Sequence, residues 1–91
     1  MIDTAEEETS ESSEKYLPDR VFIKKNEYQH KVMYEDILYV EADRAYCRIV
    51  TLENSFTLSQ TLKKIEDRIK VPYLLRVHRS FIINTQNVEQ L

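Results

Sequence analysis

The chain has 91 residues, enough for one domain at most, and its formal net charge of −3 argues at first sight against a nucleic-acid partner. A single cysteine excludes an intrachain disulfide and fits a reducing, cytoplasmic setting. The absence of glycine excludes a phosphate-binding loop and a dinucleotide fingerprint, and no apolar run approaches the roughly 20 residues of a membrane span, so no membrane partner is expected.

In chain order, residues 1–19 come first. They hold seven acidic residues and one basic residue, Lys15, for a net charge of −6. Such a stretch cannot bury enough apolar area to offset its ordering entropy, and it is expected to be a disordered acidic linker or tail. The remaining residues, 20–91, are expected to form the domain. They carry twelve basic and nine acidic residues, a net +3. That balance permits nucleic-acid binding without requiring it.

Val21-Phe22-Ile23 is β-prone and runs into a polar turn, Lys24 to Glu27. Tyr28 to Met33 is expected to return as the second strand of a hairpin. Ile37-Leu38-Tyr39-Val40 has the continuous apolar character of a strand buried on both faces. Glu41 to Arg44 reads as a loop, Tyr46 to Leu52 as a strand, Glu53-Asn54 as a turn and Ser55 to Leu58 as the returning strand. The period then changes. Leu58, Leu62, Ile65 and Ile69 recur at helical spacing, with Ser59 as the expected N-cap and Pro72 as the stop. This face is read as core. Tyr73 to Arg79 follows, then a strand Phe81-Ile82-Ile83, a turn from Asn84 to Asn87 and a last apolar segment, Val88 to Leu91. The expected fold class is mainly β with one helix.

The chemistry-bearing residues are few. His30, His78 and Cys47 do not stand at metal-ligand spacing. His78 and Ser80, two apart on an extended strand, are separated by about 6.5–7 Å along it, too far for a Ser–His pair. No catalytic, cofactor or metal site is therefore expected, no small-molecule substrate is implied, and the chain is not read as an enzyme. Arg76-Val77-His78-Arg79-Ser80 is the most unusual local feature. Its guanidiniums fit phosphate or the O6/N7 edge of guanine, and its histidine and serine can donate to phosphate. The composition fits equally a solvated strand edge whose charges discourage aggregation. Arg44, Tyr46 and Arg48 form a second cluster. Tyr46 and Arg48 alternate onto one outward face, which for Arg48 is ordinary strand patterning.

Three segments share a pattern. Asp36-Ile37-Leu38-Tyr39-Val40-Glu41-Ala42, Thr61-Leu62-Lys63-Lys64-Ile65-Glu66 and Leu75-Arg76-Val77-His78-Arg79-Ser80-Phe81-Ile82-Ile83-Asn84 resemble, in order and spacing, the signature blocks of LytTR-type DNA-binding domains. The third block is the most specific, and the resemblance runs from about Val21 to Leu91. It implies an elongated fold of small packed antiparallel sheets with one helix, acting as the output domain of bacterial response regulators. Loops at strand ends would enter successive major grooves of double-stranded DNA at repeated sites, with the protein a homodimer on the DNA. The resemblance places the reading loops at Arg44 to Tyr46 and at His78, Arg79 and Ser80, with Arg79 at a base-contact position. His78 is assigned either a backbone contact or an internal hydrogen bond, and Asn84 a structural role at the turn after its strand. Two departures stand out. Where the family often has a glycine after the Glu-Ala pair, this chain reads Asp43-Arg44-Ala45-Tyr46. The family also continues through about two further strands, so the domain is expected to lack its last strands at Leu91. The alternative from another class is a protein-interaction module that regulates by pairing, without DNA binding of its own.

Overall fold

The computed structural model describes residues 14–87. Within them the chain forms two antiparallel sheets and one α-helix. Strands β1 (Glu14–Tyr16), β2 (Arg20–Lys25) and β3 (Tyr28–Met33) make a three-stranded sheet in that order. Strands β4 (Ile37–Asp43), β5 (Tyr46–Thr51), β6 (Ser55–Leu58), β7 (Leu74–His78) and β8 (Phe81–Asn84) make a five-stranded sheet in the order β6-β5-β4-β8-β7. Helix α1 spans Leu62–Arg68. This is the mainly β architecture with one helix that the sequence predicts.

Alternation explains how one core serves all three pieces. Val21, Ile23 and Val32 face inward from the small sheet, and Val40, Cys47, Ile49, Phe56, Leu58, Leu74 and Ile82 from the large one. Leu62, Ile65 and Ile69 close the same cluster from the helix, so the helical apolar stripe is core. Leu58 belongs to β6, where it pairs with Cys47, and not to the helix.

Several boundaries differ from expectation. Residues 14–19 are not tail. Glu14–Tyr16 is an edge strand, with Tyr16 opposite Val21. The Tyr16 hydroxyl donates to Gln60 Oε1 at 2.8 Å, and Gln60 Nε2 donates to Glu14 Oε1 at 2.6 Å. These bonds satisfy the amide of a buried glutamine, and a mean over an acidic segment hides such pairwise terms. The part of the expected tail before Glu14 lies outside the described residues, as does Val88 to Leu91. Lys24 and Lys25 belong to β2, so the hairpin turn is the dipeptide Asn26-Glu27, both at positive φ (54° and 68°). That matches the mirror-image turn that fits strand twist. The helix N-cap is Thr61, whose hydroxyl accepts from Lys64 N at 3.1 Å; Ser59 does not cap it. The helix ends at Arg68 with Ile69 as its extended C-cap, ahead of Val71, whose helical conformation Pro72 disfavours.

Strand β4 is longer than expected and is not buried on both faces. It continues through Glu41, Ala42 and Asp43, which sequence reading leaves to a loop. Its register shifts between Ile37 and Tyr39. Val40 then faces the core with Ile49 and Ile82, while Tyr39 and Glu41 lie on the outer face opposite Ile83 and Phe81.

Asn84 does more than close the turn after β8. It is fully buried at 0% exposure. Its Nδ2 donates to the carbonyls of Glu35 (3.1 Å) and Ile37 (2.8 Å), and its Oδ1 accepts from Gln86 N at 2.8 Å. It thereby ties the end of β8 to the start of β4.

Candidate nucleic-acid interface

The two loops singled out in the sequence are adjacent in the fold. Strand β4 is central and pairs with β5 on one side and β8 on the other. Asp43 opposite Tyr46 closes the β4–β5 hairpin over Arg44-Ala45, and His78 opposite Phe81 closes the β7–β8 hairpin over Arg79-Ser80. Ala42 N donates to Ser80 O at 2.8 Å, which sets the two turns side by side at one end of the sheet. Arg44, Tyr46, His78 and Arg79 are exposed, and Ser80 is half-buried.

Each turn has a local cause. Arg44 sits at φ 60°, in the left-handed region. A two-residue hairpin in which the first central residue takes positive φ favours glycine there. An arginine accepts the steric penalty instead, and unusual backbone held at a loop tip marks a candidate functional position. In β7 the register shifts between Arg76 and His78. This irregularity, of the kind that re-aims side chains beside functional sites, brings His78 onto the same face as Phe81, with ring centroids 5.9 Å apart. His78 Nδ1 accepts from Ser80 N at 3.0 Å. Its Nδ1 is thus the acceptor and Nε2 carries the proton, free to donate outward.

The charges sort the arginines. Arg20 pairs with Asp19 (3.0 Å), Arg48 with Glu41 (2.7 Å) and Arg76 with Glu66 (3.2 Å). Arg68 lies over the Tyr16 ring. Among the described residues, the side chains of Arg44 and Arg79 have no hydrogen bond or ion pair. Among the described residues, the two guanidiniums with no hydrogen bond, ion pair or ring contact therefore sit on the two neighbouring turns. Arg48, directly opposite Glu41 in the ladder, is a strand-pairing residue, as its alternation suggests. Cys47, next to Tyr46, points into the core, and burial pushes its thiol up; a buried protonated thiol is a poor nucleophile.

A family model described as the LytTr DNA-binding domain matches residues 27–91, well over half of the chain. The chain belongs to the LytTR family of DNA-binding domains. Among curated relatives, the sensory transduction protein LytT of Bacillus subtilis is 33% identical over 57 residues, 63% of this chain and 24% of that protein. The transcriptional regulatory protein LytR of Staphylococcus aureus is 26% identical over 62 residues, 68% of this chain and 25% of that protein. The chain spans about a quarter of the length of these relatives. Among solved structures, a LytTr DNA-binding domain from Bacillus cereus superposes with a TM-score of 0.69 at 24% identity, over 79% of this chain and 66% of that one. That likeness corroborates the fold.

Two residues of this LytTR domain escaped sequence reading as parts of the site. Arg76 stands inside the Arg-Val-His-Arg-Ser cluster but carries no assigned role there. Glu66 looks like any solvated residue on the polar side of a helix. Only the folding of α1 against β7 brings them together.

Proposed function

We propose that this LytTR domain binds double-stranded DNA in a sequence-specific way and regulates transcription as an output domain. The observation that carries this reading is the juxtaposition of Arg44 and Arg79, each without an internal partner, on adjacent hairpin turns. Two forks of N–H donors on neighbouring turns suit the alternating phosphates and base edges of a groove. Arg79 reads a base edge, with guanine the natural partner of a bidentate guanidinium. Arg44 and Tyr46 contact base or phosphate from the neighbouring turn. His78, through Nε2, and Ser80, through its hydroxyl, hold the backbone. Turns of this size enter the major groove, and binding to repeated sites makes a homodimer on the DNA the expected assembly.

The test is a titration of the protein against a duplex that it selects from a random-sequence pool and against a scrambled duplex of equal composition. Arg79→Ala is expected to cost about 1–3 kcal/mol on the selected duplex and to relax specificity at one position. Arg79→Lys is expected to recover only part, because lysine lacks the planar fork. Equal weakening on both duplexes would make Arg79 a phosphate contact and refute its base-reading role.

One observation favours a second reading, a protein-interaction module that regulates by pairing. Leu75 and Val77 on the edge strand β7 are 48% and 55% exposed, and β7 has no strand on its outer side among the described residues. Binding to duplex DNA that weakens steeply with salt supports the first reading; its absence, with partner capture through β7, supports the second.

A further inference from the structure

The β7–β8 turn, Arg79-Ser80, presents one free guanidinium, and its backbone is held from below by another. Arg76 lies opposite Ile82 on the core-facing side of the edge strand β7. Its Nε donates to His78 O at 3.4 Å and its Nη2 to Arg79 O at 2.9 Å, so one side chain gathers both carbonyls that lead into the turn. Its Nη1 donates to Glu66 Oε1 at 3.2 Å, and Glu66 lies on α1. All three guanidinium nitrogens are thus committed within the protein. The Arg76 side chain is 27% exposed, against 50% for the surface-paired Arg48. On the other side of the turn, His78 Nδ1 holds the Ser80 amide. The turn is clamped by its carbonyls from the helix side and by an amide from the histidine side.

An edge strand needs such a device here. Beyond β7 no neighbouring strand is described that would pin its carbonyls, and the register shift at Val77 interrupts the ladder just before the turn. A planar, permanently charged fork spreads its donors over three nitrogens, so it spans two carbonyls and a carboxylate more widely separated than a single ammonium nitrogen can bridge.

We infer that Arg76, oriented by Glu66, is a positioning residue for DNA recognition: it shapes the Arg79-Ser80 turn through its carbonyls and does not itself contact DNA. The inference rests on the reading of that turn as a DNA-reading element. It makes α1 part of the recognition apparatus, since the helix carries the carboxylate that fixes the clamp.

The experiment uses the full chain with Arg76→Ala, Arg76→Lys and Glu66→Gln. The probes are the duplex selected from a random pool and its scrambled counterpart, each titrated at several salt concentrations. Hydrogen exchange of the Ser80 amide in the free proteins is the second measurement. Positioning predicts that Arg76→Ala weakens the selected duplex about tenfold, as expected for charged hydrogen bonds lost from a loop. The scrambled duplex and the salt slope should change little, and Arg76→Lys should rescue poorly. A phosphate contact would instead lower the slope of log K against log salt by about 0.9, and that outcome overturns the inference.

Glu66→Gln gives an opposite-sign test on a mild, exposed substitution that leaves the core intact. Removing a negative charge near DNA raises affinity if Glu66 is a bystander, or if it merely restrains an arginine that seeks phosphate. Positioning predicts the reverse, a loss on the selected duplex alone. Ser80 exchange separates the two levels of argument. Faster exchange in Arg76→Ala with unchanged DNA affinity would leave the clamp standing and sink the DNA-reading role of the turn. Unchanged exchange in Arg76→Ala would overturn the clamp itself.

Discussion

Arg44→Gly is expected to make the domain more stable and its DNA complex weaker. Arg44 occupies φ 60° at the first position of a two-residue hairpin. For a residue with a Cβ this conformation costs about 1–2 kcal/mol. Glycine relieves that cost and returns about 0.5–1 kcal/mol through the freedom it gains in the unfolded chain. Taking the middle of each range, the net gain is about 0.75 kcal/mol, which for a domain of this size raises the melting temperature by about 3–6 °C. Nothing offsets the gain, because the exposed Arg44 side chain has no partner among the described residues. On DNA the same substitution removes a guanidinium at the proposed interface, a loss of about 1–3 kcal/mol, or about 5- to 150-fold in Kd. Arg44→Ala is the control. It keeps the Cβ and therefore the strain, so it should lose affinity while its melting temperature stays near that of the native chain. The assays are differential scanning calorimetry and fluorescence anisotropy with a duplex selected from a random pool. An Arg44→Gly protein that melts at or below the native temperature would refute the strain argument. Unchanged affinity in both variants would remove Arg44 from the interface.

Other substitutions probe the frame that carries the turns. Asn84→Ala leaves the carbonyls of Glu35 and Ile37 and the Gln86 amide without their partner; at about 1 kcal/mol for each bond, urea unfolding should show a loss near 3 kcal/mol. Ile65→Ala, in the middle of the core face of α1, is expected to cost about 2–5 kcal/mol; a thermal midpoint that does not move would place that face on the surface. Burial pushes the Tyr34 hydroxyl up to about 12 from its ordinary 10, and burial raises Tyr16 as well. The folded state then holds these protons more tightly than the unfolded chain, so the stability that Tyr34 contributes is intact below about pH 10 and is lost as pH rises through about 12, with Tyr16 acting in the same direction. Tyrosinate absorbance followed alongside circular dichroism checks this: ionisation of all six tyrosines at the ordinary value with native dichroism intact would contradict it.

Periodicity by itself determined the class of fold, the helix and its buried face. Period-two runs such as Tyr46 to Leu52 and the helical spacing of Leu62, Ile65 and Ile69 are set by which side chains avoid water, and that preference is written residue by residue. The blocks Asp36 to Ala42 and Leu75 to Asn84 placed both candidate turns, because turn residues are contiguous in sequence. Tertiary structure alone decided what depends on pairs distant in the chain. Glu14–Tyr16 is a strand because Gln60, more than forty residues on, completes its hydrogen bonds. Asn84 is buried because the carbonyls of Glu35 and Ile37 meet it. The Arg44 and Arg79 turns adjoin only because β4 pairs with β8, and Arg76 is drawn into internal hydrogen bonds only because the fold brings Glu66 and the carbonyls of His78 and Arg79 to it. A local pattern reports each residue's preference for water. Which arginine is spent inside the protein and which is left with free donors depends on the carboxylates and carbonyls that the fold brings within reach.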